Sequence, residues 1–128
     1  MITIYHNPRC SKSRLGVQAL EEHGKEFEIV KYLDTPLAFD ELKTIIEKLG
    51  ISPLELVRQN EAVWKSNYKG KTLSNDELIQ AMIDHPKLIE RPIVVYGNKA
   101  IVGRPTEKIF EILQQKKSKP FGLDFIIF

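Results

Sequence analysis

The sequence predicts an α/β fold built on a mixed sheet, with the elements in the order βαβ, several helices, then ββα. Three observations point there. A β-branched and aromatic run, "ITIYH", is followed by a helical stretch and then by a second alternating run, "FEIVKY". The middle of the chain repeats its apolar residues at helical spacing. Late in the chain, "PIVVY", Gly97-Asn98 and "AIVG" read as a β-hairpin, with glycine and asparagine suited to the turn.

The first strand is expected over Ile2 to Tyr5, and Asn7-Pro8 marks the turn that ends it. Ser11 to His23 follows as a helix with Leu15, Ala19 and Leu20 on its inner stripe and Gly24 as its stop. The second strand lies within Phe27 to Tyr32. Phe39, Leu42, Ile45, Ile46 and Leu49 then keep helical spacing up to Gly50. Ser52-Pro53-Leu54-Glu55 offers a hydroxyl cap, a proline at the first helical position and a glutamate three residues after the cap. Ser74 and Glu77 repeat that signature for a helix reaching His85, and Trp64 with Tyr68 is expected to pack inside this helical region. A last helix, roughly Thr106 to Gln115, buries Ile109, Ile112 and Leu113. The first crossover should be right-handed, which makes its two strands parallel, and the hairpin adds antiparallel strands to the same sheet. That is the thioredoxin-like layout: a single domain over residues 1–128 with a helical insertion at about 38–90 and a short tail at about 116–128. "QQKKSK" from Gln114 is expected to be solvated, whereas "KPFGLDFIIF" is apolar enough to dock as an extra strand or cover a patch.

Composition narrows the function. The 128 residues carry 19 Lys and Arg against 17 Asp and Glu, a net charge of +2, without the basic excess of a dedicated nucleic-acid binder. No nucleic-acid partner is expected, and any basic site must be local. The N-terminus lacks a basic segment followed by a long apolar one, and no run approaches the roughly 20 residues that span a bilayer, so a cytoplasmic protein without a membrane partner is expected. The single cysteine, Cys10, precludes an internal disulfide framework and both CxxC chemistries, redox and zinc; no metal site is expected. If Cys10 does redox chemistry, its partner thiol comes from another molecule.

Cys10 stands after the first strand and at the start of the first helix, among Arg9, Lys12 and Arg14. An unperturbed thiol is only about 3% thiolate at neutral pH, and the thiolate is the nucleophile. Unpaired backbone N–H groups and the positive end of the helix dipole favour an anion at this position. The hydroxyls of Ser11 and Ser13 can donate to the sulfur or to a bound oxyanion. "CSKS" therefore looks like a nucleophile beside an anion cradle, although a lone cysteine in a cytosolic domain is also often an inert buried residue.

Four stretches together, "YHNPRCSKSR", "LVRQN", "HPKLIERPIVV" and "GRPTE", resemble the ArsC-type, glutaredoxin-coupled arsenate reductases, in particular their arsenate-reductase-like branch. The resemblance runs over about residues 2–115, in order and with the family's spacings. It implies a thioredoxin-like fold, one catalytic cysteine at Cys10, and three arginines that gather around the oxyanion at Arg58, Arg91 and Arg104. It implies that His6 and Ser13 help to activate the thiol. Arg91 precedes Pro92, where such folds carry a cis-proline facing the cysteine, and Pro105 after Arg104 suits a first helical turn. Arg58 would come from the insertion, acting as a lid. The guanidinium fork fits the proposed ligand, because it gives a tetrahedral oxyanion paired hydrogen bonds and never loses its charge. By this resemblance the substrate is arsenate or a similar oxyanion, glutathione is the co-substrate, glutaredoxin is the protein partner, no cofactor is bound and the protein is a monomer. One departure stands out: the family's better-studied enzymes carry glycine-threonine after the cysteine, and this chain has Ser11-Lys12, which bears on substrate choice. The alternatives are an Spx-like regulator that binds RNA polymerase, whose usual CxxC switch is denied by Ser13, and a thiol reductase acting on another oxyanion or a glutathione adduct.

Overall fold

The computed structural model describes residues 1–117. Strands β1 (Ile2–Tyr5), β2 (Phe27–Val30), β3 (Ile93–Tyr96) and β4 (Lys99–Val102) form one sheet in the order β2-β1-β3-β4. β1 pairs with β2 in parallel, Ile4 opposite Ile29, and with β3 antiparallel, Ile4 opposite Val94. β3 and β4 form the hairpin, with Gly97 in the left-handed region at φ 65° where a side chain would be strained. Helices cover both faces, which gives the α/β, thioredoxin-like arrangement. Adjacent strand residues point to opposite faces, so β3 sends Val94 to one apolar cluster and Ile93 to the other. The first cluster joins Ile2, Ile4, Leu20, Val94, Ile109 and Leu113; the second joins Tyr32, Leu42, Leu56, Met82, Leu88 and Ile93 beneath the insertion. Among the described residues no helix is long and apolar enough to cross a membrane.

The first helix, α1 (Ser11–His23), is the β1–β2 crossover and ends at Gly24, whose φ of 87° and N–H bond to the Leu20 carbonyl close the last turn. Its inner stripe differs from expectation. Leu15 is 45% exposed, and the buried positions are Ser13, Gly16, Ala19 and Leu20. Gly16 lies where the helix crosses the sheet: a Cβ there would come within 2.9 Å of Pro92 Cγ and 3.2 Å of Ile4 Cδ1. The helix can approach that closely only by presenting glycine, and this approach rotates Leu15 outward.

In the insertion, α2 (Phe39–Leu49) buries Leu42, Ile45 and Ile46 and stops at Gly50, with φ 70°. The Ser52/Glu55 box starts only a 3₁₀ turn, Pro53–Leu56, where the sequence suggested a longer helix. The cause lies at Val57, whose backbone is extended (φ −82°, ψ 131°) so that it can bridge Ile89 in antiparallel fashion. Helices α3 (Ala62–Asn67) and α4 (Asn75–Asp84) follow, and a second 3₁₀ turn, Pro86–Leu88, leads back to the sheet. Trp64 is buried and stacks on Tyr68 with ring centroids 5.5 Å apart. At α4 the capping box is complete: Glu77 N–H donates to Ser74 Oγ at 3.1 Å and Ser74 N–H donates to Glu77 Oε1 at 2.8 Å.

The last helix, α5 (Lys108–Lys117), buries Ile109, Ile112 and Leu113. It begins two residues later than expected, and Pro105 lies in the turn ahead of it, outside the first helical turn, with its carbonyl accepting the Lys108 N–H at 3.0 Å. The apolar segment "KPFGLDFIIF", residues 119–128, lies outside the described residues.

Candidate active site

The parallel strands β1 and β2 end side by side, and His6 N–H donates to the Val30 carbonyl at 2.9 Å, carrying the pairing one residue past Tyr5. The chain then turns tightly. Asn7 Oδ1 accepts the Arg9 N–H at 3.0 Å and the Asn7 carbonyl accepts the Cys10 N–H at 3.0 Å. Arg14 reaches back from α1 to the Pro8 carbonyl at 2.8 Å. This loop delivers Cys10 to the N-cap of α1 in an extended conformation (φ −99°, ψ 123°), its carbonyl accepting the Arg14 N–H that opens the helix. The thiol is free and half-buried. It therefore lies at the positive end of a 13-residue helix whose first N–H groups have no partner within the helix.

The structure joins His6 and Ser13 to each other. His6 Nδ1 and Ser13 Oγ are 2.7 Å apart, and the same oxygen accepts the Asn7 N–H at 2.9 Å. Both residues are buried, Ser13 completely. Burial, then the positive charges of Lys31 and Arg14, hold the His6 imidazole below its usual pKa of 6.5, against the opposing effect of its bond to Ser13. His6 is thus neutral at pH 7. Among the described residues, neither side chain makes a hydrogen bond to the Cys10 sulfur. Their shared contacts fix the loop that carries it.

Two of the three predicted arginines meet at one carboxylate. Arg58 Nε and Arg104 NH1 each lie 3.6 Å from Glu90 Oε1, and Arg58 NH1 also contacts Glu61 Oε2 at 3.0 Å. The backbone explains the meeting. Arg58 N–H donates to the Leu88 carbonyl at 2.7 Å and Glu90 N–H to the Leu56 carbonyl at 2.9 Å, flanking the Val57–Ile89 bridge that ties the insertion to the approach to β3. Past the end of the hairpin, Gly103 N–H donates to the Pro92 carbonyl at 2.8 Å, and the Arg104 N–H turns back to the Val102 carbonyl at 2.8 Å. The β1–β3 pairing ends with Tyr5 opposite Ile93, two residues after Arg91. The Arg91-Pro92 bond is cis, as expected for this position, and so is Arg104-Pro105. Arg91 Nε is buried without a hydrogen-bond partner.

Glu90 and Tyr32 went unremarked in the sequence. Glu90 stands inside "LIERPIVV", where the only hint of its role is an acid directly preceding an arginine. Tyr32 reads there as the end of an alternating strand; in the structure β2 stops at Val30 and Tyr32 is 1% exposed. Its phenol is electrostatically coupled to Cys10, Arg58 and Glu90. Burial, reinforced by Cys10, pushes its pKa well above the ordinary tyrosine range, so the hydroxyl keeps its proton. The described residues thus place a half-buried thiol at a helix start, join Arg58 and Arg104 at Glu90, and leave Arg91 Nε buried without a partner.

The sequence matches the model of the ArsC family over residues 5–112, a span that holds Cys10 and all three arginines. The uncharacterized protein YfgD of Escherichia coli K12 is 50% identical over 114 residues, covering 88% of this chain and 96% of that one. An arsenate reductase of Neisseria meningitidis serogroup A is 48% identical over 114 residues, covering 88% and 97% respectively. Among solved structures, an arsenate reductase from Vibrio cholerae superposes with a TM-score of 0.83 at 44% identity, over 87% of this chain and 96% of the other. Alike in sequence from the cysteine loop to the last helix and alike in backbone, the chain belongs to the ArsC family.

Proposed function

We propose that the protein reduces arsenate to arsenite, with Cys10 as nucleophile and Arg58, Arg91 and Arg104 as the binding and charge-stabilising groups. The observation that carries this reading is the convergence of Arg58 and Arg104 on one point from segments 46 residues apart, in the same electrostatic neighbourhood as a half-buried thiol at a helix start. The names of the Neisseria and Vibrio relatives support arsenate as the oxyanion.

The chemistry balances with thiols as the electron source. The Cys10 thiolate attacks arsenic(V), a sulfur–arsenic bond forms, and hydroxide or water leaves while the arginines neutralise the charge on the remaining oxygens. A glutathione thiolate then attacks the Cys10 sulfur. The sulfur–arsenic electron pair passes to arsenic, which departs as arsenite, and Cys10 is left in a mixed disulfide with glutathione. Glutaredoxin resolves that disulfide and restores the thiol. Two thiols thus supply the two electrons, and a chain with one cysteine needs its second thiol from outside. In this reading the protein works as a cytoplasmic monomer, with glutathione as co-substrate and no bound cofactor.

The test is a coupled assay following NADPH consumption with glutathione, glutathione reductase and glutaredoxin, comparing arsenate with phosphate and with small disulfides. Arsenate-dependent turnover that is abolished in Cys10→Ser, with its unfolding transition unchanged, is the expected outcome. Turnover retained by Cys10→Ser ends the mechanism. No arsenate turnover together with co-purification of RNA polymerase would replace the enzyme by a regulator.

A further inference from the structure

Four buried side-chain polar atoms among the described residues have no hydrogen-bond partner: His23 Nδ1, Tyr32 OH, Glu90 Oε1 and Arg91 Nε. Folded proteins pair nearly all such atoms, so unpaired ones need a reason. Glu90 Oε1 belongs to the arginine cluster through its contacts with Arg58 and Arg104 at 3.6 Å. Arg91 follows it directly in the chain. Tyr32 comes two residues after Val30, whose carbonyl accepts the His6 N–H at the start of the cysteine loop, and the charges that act on its phenol are those of Cys10, Arg58 and Glu90. Tyr32 and Glu90 thus share one charged neighbourhood with Cys10, whereas His23, at the far end of α1 beside Phe110, stands apart.

Glu90 is already committed to two guanidinium groups, and Arg91 is one of the oxyanion ligands proposed above. Tyr32 has no assigned task. Its ring is locked in the core with Leu42, Leu56 and Leu88, so the hydroxyl cannot swing out to water. It forms no hydrogen bond to the sulfur or to any other described group. The partner that would satisfy it is an oxygen atom held between itself and Cys10.

We infer that the Tyr32 hydroxyl is a further ligand of the tetrahedral oxyanion, donating a hydrogen bond to an oxygen of the anion poised on, and then bonded to, the Cys10 sulfur. The assignment rests on the reading of this pocket as an oxyanion site and extends its ligand set beyond the three arginines. A phenol adds something that guanidinium groups do not: a directed donor without charge. It follows the oxygen from free anion to sulfur-bound adduct and adds nothing to the electrostatic hold on a departing product. Its raised proton affinity keeps it a donor throughout the neutral range.

The experiment is Tyr32→Phe, which keeps the ring and removes only the oxygen. Three quantities are compared with wild type: the thermal unfolding midpoint, the protection of Cys10 from iodoacetamide by inorganic arsenate or inorganic phosphate, and kcat in the coupled arsenate assay. The midpoint should stay the same or rise, because an unpartnered buried hydroxyl is lost. Half-maximal protection should need several-fold more anion, and kcat should fall by about a hundredfold or more, in keeping with the loss of one oxyanion donor. Protection and kcat both equal to wild type would overturn the assignment. So would a fall in the midpoint that accounts for the lost activity, which would make the hydroxyl structural. Wild-type protein that fails to turn over arsenate would instead sink the reductase reading, and anion protection would still decide the role of Tyr32.

Discussion

Replacing Ser13 with alanine is expected to destabilise the protein by about 2–4 kcal/mol, and the structure supplies each contribution. Ser13 Oγ is completely buried and serves two partners, His6 Nδ1 at 2.7 Å and the Asn7 N–H at 2.9 Å. Alanine leaves both without a counterpart. Asn7 is itself 8% exposed, so water cannot readily take over. Each orphaned buried group costs about 1–3 kcal/mol. Two effects oppose this: the hydroxyl no longer has to be desolvated, and alanine is the better helix former by a few tenths of a kcal/mol. The two lost bonds win. Measured against a total stability of about 5–15 kcal/mol, such a loss is large. Urea unfolding of wild type and Ser13→Ala, with slopes compared so that only the midpoint carries the difference, is the assay. A variant within about 0.5 kcal/mol of wild type would refute the claim that this oxygen holds the cysteine loop, since surface changes of no structural consequence fall in that range.

Two further outcomes follow from the same region. The folded-state pKa of His6 lies below its unfolded value, so the unfolded chain binds the extra proton first; stability is at its full value above about pH 6.5 and declines as pH falls through the folded pKa. Unfolding free energies between pH 5.5 and 7.5 should therefore slope less in His6→Gln than in wild type, and equal slopes would remove His6 as the cause. In Gly16→Ala, the new Cβ at 2.9 Å from Pro92 Cγ forces a shift costing about 1–3 kcal/mol, against a helix-propensity gain of up to about 1 kcal/mol. Net destabilisation is expected in chemical unfolding, and a more stable variant would show that the helix and the Pro92 segment move apart freely.

Much of the fold can be read from local patterns. β1, α1 and α2 appear with the bounds that turn residues and apolar spacing indicate, because Gly24 and Gly50 are chemical stops that depend little on the rest of the chain. Leu15 is misread because periodicity names a stripe but not the distance of approach, and here the approach is set by Gly16 against Pro92. The Ser52/Glu55 box announces a helix that the Val57–Ile89 bridge cuts to a single turn, a long-range pairing with no local signature. The site divides the same way. Cys10 is conspicuous as a single thiol between strand and helix, whereas Arg58, Arg91 and Arg104 stand out only through family likeness, since surface arginines are common. Glu90 and Tyr32 needed coordinates. Their significance lies in which charges they face, and residues 32, 58 and 90 meet only when the insertion folds back over the strand ends.

The single oxygen shared by Arg58 and Arg104 also determines how the pocket responds to its surroundings. The two guanidinium groups at this point are matched by two carboxylates, Glu90 and Glu61, so in the proposed reading an arriving oxyanion has to take the arginines over from them. Capture is then an exchange of counter-ions more than an accumulation of charge. Binding should weaken less steeply with added salt than it would for a site of three uncompensated cations. On the proposed function, the same carboxylates would reclaim the arginines when the product leaves.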